Sequence, residues 1–109
     1  MSEPTSIARM TQKFSEPSVQ ESLKGFTKTV QFSLTDVKED YLLAFEDGKL
    51  SRAEKATPGG IADITVIASN ELMDEILDKK ANAVVSYMSG KIKIKGDLND
   101  LMRLQKLLS

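Results

Sequence analysis

The tightest constraint on the fold is the dipeptide Asp47-Gly48, set between two stretches that alternate apolar and polar residues. Asp-Gly suits the centre of a type I′ turn, where both residues need positive φ, and the twist of that turn matches paired antiparallel strands. Before it, Tyr41, Leu43 and Phe45 fall on one strand face while Leu42, Ala44 and Glu46 fall on the other. After it, Leu50 to Lys55 predicts the returning strand. Upstream, Val30, Phe32 and Leu34 alternate with Thr29, Gln31, Ser33 and Thr35, a further half-buried strand. The polar run from Thr35 to Asp40 joins it to the next. Three strands linked by short turns make an antiparallel meander, whose apolar face needs helices or another layer to cover it.

The rest of the chain supplies that cover. Residues 1–15 predict a polar N-terminal arm or a short helix with Ile7, Met10 and Phe14 spaced three and four apart. Ser18 and Glu21 have capping-box spacing, so a helix is predicted from about 16 to 25, with Val19, Leu23 and Phe26 on one face and Gly25 near its exit. Thr57-Pro58-Gly59-Gly60 marks a loop. The β-branched run from Ile61 to Ala68 predicts a more buried strand. Ser69 or Asn70 then caps a helix whose stripe is Leu72, Met73, Ile76 and Leu77, with Glu71, Asp74, Glu75 and Asp78 opposite. A second short helix from Ala81 to Met88 ends at Ser89-Gly90. Lys91 to Lys95 alternates strictly, which predicts a fifth strand with Ile92 and Ile94 inward. Asp97 caps a terminal helix carrying Leu98, Leu101, Met102, Leu104, Leu107 and Leu108. That helix is apolar over more than half its circumference, so it is covered on more than one side or exposes a patch. A strand run followed by segregated helices reads as α+β, with helices on one sheet face.

Composition narrows function mainly by exclusion. A length of 109 residues fits one domain, here residues 16–109. With 15 Lys plus Arg against 16 Asp plus Glu, no long-range positive field of a nucleic-acid binder arises. There is no Cys and no His, which removes disulfides, the commonest zinc ligands and the usual partners of a nucleophilic triad. No loop has calcium-binding spacing, and neither a metal nor another cofactor is expected. The start of the chain lacks a signal-peptide pattern, no apolar run approaches a membrane span, and Lys106-Leu107-Leu108-Ser109 is not a peroxisomal signal. The expectation is a cytoplasmic protein without stable membrane insertion.

The stretch Ser89-Gly90-Lys91-Ile92-Lys93-Ile94-Lys95-Gly96-Asp97-Leu98 resembles the most characteristic segment of the sterol carrier protein type-two (SCP2-like) family, a Gly-Lys-Leu-Lys-Ile-x-Gly run followed by a helix rich in Leu, Met and Lys. Here that helix continues as Met102-Arg103-Leu104-Gln105-Lys106-Leu107. Ala62-Asp63-Ile64-Thr65-Val66 is similar to the family's Ala-Asp-x-Thr-Ile strand, and Asp47-Gly48-Lys49 to its hairpin turn. The order and spacing of these landmarks match over about residues 25 to 108. The resemblance implies a five-stranded mixed, mostly antiparallel sheet, helices on one face and an apolar tunnel between the layers. It also implies a non-enzymatic carrier of fatty acids, fatty acyl-CoA esters, sterols or other lipids. The chain departs from the family at Asp78-Lys79-Lys80-Ala81-Asn82-Ala83, which lacks the usual Gly and Pro, and at Tyr41 or Leu42, where many members carry Trp. It also lacks the C-terminal tail that carries peroxisomal targeting in eukaryotic members. These departures touch sterol preference more than fold, and favour a prokaryotic-style, free-standing protein.

The candidate ligand-binding residues implied are Phe32, Phe45, Leu72, Met73, Ile76, Leu77, Val84, Val85, Met88, Leu98, Leu101 and Met102. The same periodicity would be produced by a filled core, in a homo-oligomeric interaction module with no ligand. Lys91, Lys93 and Lys95 form one face of the fifth strand, as fits either a solvated edge protected by charge or transient contact with an anionic membrane surface. Asp74 and Asp78 lie four apart on the polar helix face, where tuned acid–base pairs are not expected; Asp97 and Asp100 suit the start of the terminal helix. Gly90 and Gly96 bracket the fifth strand, for chain reversal or for close approach of a ligand to backbone. Monomer and homodimer both remain open.

Overall fold

A computed structural model describes residues 3–108, without the side chains of residue 101 and residues 105–108. The meander forms as β1 (Thr29–Leu34), β2 (Glu39–Glu46) and β3 (Lys49–Ala56), paired antiparallel. Asp47 and Gly48 have φ of 50° and 84°, both in the left-handed region that the type I′ turn needs. Gly48 is required twice over, since a Cβ there would stand 2.6 Å from the Gln20 carbonyl oxygen. β4 (Ile64–Ala68) pairs with β1 in parallel, and β5 (Lys93–Lys95) pairs with β4 antiparallel, giving the order β3-β2-β1-β4-β5. The sheet is therefore mixed and mostly antiparallel.

The helices are α1 (Thr5–Phe14), α2 (Pro17–Ser22), α3 (Asn70–Leu77), α4 (Ala83–Met88) and α5 (Leu98–Leu108). α1 is a helix whose Ile7, Met10 and Phe14 are buried in the same core as the sheet. On the sheet's inner face, Val30, Phe32, Leu34, Tyr41, Leu43, Phe45, Ile64 and Val66 meet Met73 and Ile76 of α3. The outer face carries Gln31, Ser33 and Asp40, sealed as a network. The Gln31 Nε2 donates to Asp40 Oδ2 at 2.8 Å and to the Thr57 carbonyl at 3.1 Å, and Ser33 Oγ donates to Asp40 Oδ1 at 3.2 Å. The Thr57–Gly60 loop thus folds across part of that face.

Three local expectations need correction. The second helix starts at Pro17, with Glu16 before it and no side-chain cap, so Ser18 and Glu21 make no capping box. Proline's fixed φ and missing N–H suit the first helical position and set the start instead. The fourth strand begins at Ile64 rather than Ile61, and Ile61 is 99% exposed. Asp63 ends the pairing: its Oδ2 accepts from Thr29 N at 2.9 Å, and its own N donates to Thr29 Oγ1 at 3.0 Å. The second short helix begins at Ala83, after Asn82 accepts from the N–H groups of Val84 and Val85.

Ser69 caps α3, accepting from Leu72 N, whereas Asn70 Oδ1 accepts from Ser6 and ties α1 to α3. Asp36, from the β1–β2 turn, accepts from Asn70 N at 2.7 Å and Glu71 N at 3.2 Å. Partial burial pushes the Asp36 carboxyl up, but donation from the N–H groups of Asn70, Glu71, Val37 and its own residue outweighs it and holds it below the ordinary value of 3.8. Its contribution is thus present above that value and lost as pH falls through the lowered folded pKa. Asp36→Ala should cost about 1 kcal/mol at pH 7 by uncapping α3. It should cost less at pH 3, below the ordinary value of 3.8, where the unfolded state's carboxyl is already largely protonated; urea midpoints at the two pH values check this.

Candidate functional site

Between the inner sheet face and the helices lies a cavity with an entirely apolar wall. The sheet contributes Val30 and Phe32 from β1, Phe45 from β2 and Val66 from β4. The helical side contributes Phe14 from α1, Met73 and Ile76 from α3, Ala83 from α4 and Leu104 from α5, with Ile92 from the segment before β5. The atom-free space, counted with the part open to solvent, is about 480 Å³, and only about 30 Å³ admits the centre of a water molecule. A bound water needs several polar partners, and this wall offers none, so the void is an apolar one. Among the described residues no titratable side chain lines it.

The polar groups that might have suggested chemistry are committed elsewhere. Arg9 of α1 reaches Asp74 at 3.3 Å and Asp78 at 2.5 Å. The Arg9 hydrogen bond holds the Asp78 carboxyl below its ordinary range. Thr5 also donates to Asp74, so this pair fastens α1 to α3. Asp97 accepts from Asn99 N at the start of α5, and Asp100 takes the Lys28 ammonium. Gly96, with φ of 124°, lets β5 turn beside β4: a Cβ there would lie 2.7 Å from the Asp63 carbonyl oxygen. The close approach is to the chain's own backbone. Gly90 has φ of 82° and nothing near its missing Cβ, as a simple reversal requires.

Of the residues singled out from the sequence, Phe32, Phe45, Met73 and Ile76 meet at this cavity. Leu72 and Leu77 pack on the core's flank. Each also borders a surface cleft, Leu72 with Ser69 and Lys91, Leu77 with Arg9 and Lys13. Val84 is half-buried. Val85, Met88, Leu98 and Met102 are exposed and do not line the void. The side chain of Leu101 lies outside the described residues. Sequence reasoning missed Phe14, Val30, Val66, Ala83, Ile92 and Leu104 as wall residues. The inward alternation of Val30 and Ile92 was a usable signal; nothing local marked Ala83 or Leu104.

A model of the SCP-2 sterol transfer family matches residues 7–109. The chain belongs to this family. Lipid binding and transfer is accordingly the general activity that SCP-2 membership supports. Among curated relatives, a protein of Yarrowia lipolytica described as a fatty acid-binding protein is 29% identical over 92 residues, covering 81% of this chain and 70% of the relative. The solved structure of sterol carrier protein 2 from Yarrowia lipolytica, in its apo form, matches with a TM-score of 0.69 at 26% identity, over 94% of this chain and 85% of that one. An SCP-2-like unit also occurs in the stereoselective inverting sec-alkylsulfatase Pisa1 from Pseudomonas sp., with a TM-score of 0.69 and 26% identity over 83% of this chain. The match spans only 14% of that enzyme's chain, so the SCP-2 fold can serve as one part of a larger protein. No helix among the described residues is long and apolar enough to cross a membrane.

Proposed function

We propose that the protein binds one apolar, lipid-like molecule in the cavity between sheet and helices and passes it on chemically unchanged. A fatty acid or fatty acyl-CoA is preferred to a sterol or other lipid. The observation that carries this reading is a void walled only by apolar side chains, at the centre of a fold shared with sterol-transfer proteins. A methylene moved from water to such a site gains about 0.8 kcal/mol, so a sixteen-carbon chain offers roughly 12 kcal/mol before the costs of ordering it.

The part of this space that admits even a water centre, about 30 Å³, is far smaller than such a chain, so loading requires the wall to move. α5 is the proposed lid: Leu104 reaches the void, while Asp100 and Arg103 hold the helix through surface contacts with Lys28 and with the carbonyls of Ser22 and Lys24. In the loaded state Phe32, Phe45, Met73 and Ile76 would contact the chain first. Leu72, Leu77, Val84, Val85, Met88, Leu98 and Met102, which do not line the void, would join only as the helices shift. A slender chain opens such a wall progressively, whereas a rigid sterol needs the whole displacement at once. The Yarrowia relative's description favours the same ligand class.

Palmitate titration followed by native mass spectrometry tests the reading. The expected result is a one-to-one complex of micromolar affinity or tighter, with recovered palmitoyl-CoA intact after incubation. An apo mass unchanged by fatty acids, acyl-CoA and sterols at about 100 µM would sink it.

A further inference from the structure

The two edges of the sheet differ. β5, at one end, has three residues with a lysine at either end, the short charged form that discourages pairing. β3, at the other, runs for eight residues, of which all but Leu50 and Ala56 are exposed. It holds no proline. Among the described residues nothing but β2 bonds to its backbone. Alternate N–H and C=O groups along it therefore face solvent, a ready template for another strand.

The side chains of β3 specify which strand fits. Arg52 and Glu54 lie on the outer sheet face, opposite Ala44 and Leu42 of β2, and pair with each other at 3.3 Å. An exposed pair of this kind contributes little to the folded chain itself. When a strand pairs antiparallel with its own copy about a two-fold axis, one residue faces itself and its flanking residues exchange partners. Centred on Ala53, that arrangement sets Arg52 opposite the partner's Glu54, and Glu54 opposite the partner's Arg52. Ala53 meets the partner's Ala53 and Lys55 meets the partner's Ser51, so no like charges face each other. Moving the axis to Arg52, Glu54 or Lys55 puts that charge directly against itself, which is destabilising. Charge on an edge normally guards it; here the signs admit one pairing and reject its neighbours. The inner face is clear at this axis as well. Ala53 and Lys55, opposite Leu43 and Tyr41, are both exposed, so the helix layer stops short of it.

We propose that β3 is a self-complementary edge through which two copies of the chain pair antiparallel, centred on Ala53, joining two five-stranded sheets into one. Charge selects a second copy as the occupant, because symmetry forms both Arg–Glu pairs at once. The axis stands perpendicular to the sheet, so both helix layers and both cavities lie on the same side of it. The inference is independent of the cavity reading: β3 contributes no residue to the void's wall, and each copy keeps its own void.

A single strand pair is a small interface, so the dimer is of the weak class, and sedimentation equilibrium up to about 300 µM should show its mass. Glu54→Arg sets arginine against arginine at both symmetric positions and should weaken the dimer about 10-fold or more, as should Arg52→Glu with glutamates. Arg52→Glu/Glu54→Arg restores opposite signs and should bring the dimer back to within about threefold of the unmodified protein. The chain contains no Cys, so Ala53→Cys carries a single thiol. Its two copies would stand about 4.5–5.5 Å apart at Cα, within disulfide reach. Mild oxidation should cross-link Ala53→Cys rapidly, and Lys95→Cys on the opposite edge far more slowly. A monomer mass at every concentration overturns the proposal. So does a dimer that survives both single reversals, a double exchange that stays monomeric, or Ala53→Cys that cross-links no faster than Lys95→Cys. A monomer that takes up palmitate overturns this inference alone; a dimer that takes up none overturns the cavity reading alone.

Discussion

Phe45→Ala is expected to lower the unfolding free energy by about 4 kcal/mol, the largest stability effect of any single change considered. Phe45 is 3% exposed and lies where three elements meet. Its ring packs edge-to-face with Phe14 of α1 at 4.9 Å and with Phe26, beyond α2, at 5.4 Å. Such aromatic pairs add about 0.5–1.5 kcal/mol beyond area burial. Truncation would remove both pairs and enlarge a void that already exists, so collapse of the surroundings offers little relief. Against a typical domain stability of about 5–15 kcal/mol the loss is severe. Urea unfolding should show a midpoint lower by about 2 M for an m-value near 2 kcal/mol/M. A loss below about 1 kcal/mol would show that α1 can repack and that the cluster is not the anchor described.

The second large effect concerns ligand. Ala83→Leu adds three carbons to the cavity wall from α4, at a residue that is 7% exposed. If a bound chain occupies the void, the new side chain displaces about three of its methylenes. At ~0.8 kcal/mol each, palmitate affinity should fall about 50-fold. The apo fold should suffer less, by about 1–3 kcal/mol of overpacking. Palmitate titration beside urea unfolding separates the two terms. Unchanged affinity would mean that the chain is held elsewhere, and the cavity reading would fail for this void.

The strand pattern was open to reading because a half-buried sheet prints its geometry directly as alternation. Tyr41, Leu43 and Phe45 point inward as their spacing requires, and the Asp47-Gly48 turn fixes the register of β2 against β3. A register irregularity between Ala44 and Phe45 then skips Ser51 and shifts the pairs from Ala44 to Asp40 by one residue, so the turn sets only the pairing beside it. Element ends were harder. Proline chemistry displaced the start of α2, and a side-chain clasp between Thr29 and Asp63 shortened β4; neither has a period. The parallel pairing of β1 with β4 joins residues more than thirty apart, and no local pattern encodes such a partner. The cavity wall was the least accessible part. Val85 and Met88 look like core by hydropathy, yet α4 turns Ala83 and Ser86 inward and leaves the larger side chains outside. A short helix has too few residues for its stripe to reveal which side faces the sheet.

The wall is also divided in time. Phe14, Val30, Phe32 and Phe45 are synthesised before the meander is complete, whereas Val66, Met73, Ile76, Ala83, Ile92 and Leu104 follow it. A nascent chain can therefore pair β1, β2 and β3 well before it possesses an enclosed pocket. If the cavity takes a ligand as proposed, capture waits until Leu104 has emerged, so occupancy would report that the pocket is enclosed. A ligand bound as proposed would bridge the early and late halves across the β1–β4 seam. It then stabilises the whole by RT ln(1 + [L]/Kd), about 2.7 kcal/mol at a hundredfold excess over Kd. Loaded and empty molecules would thus differ in their resistance to proteolysis, and the supply of ligand in a cell would set how long each copy survives.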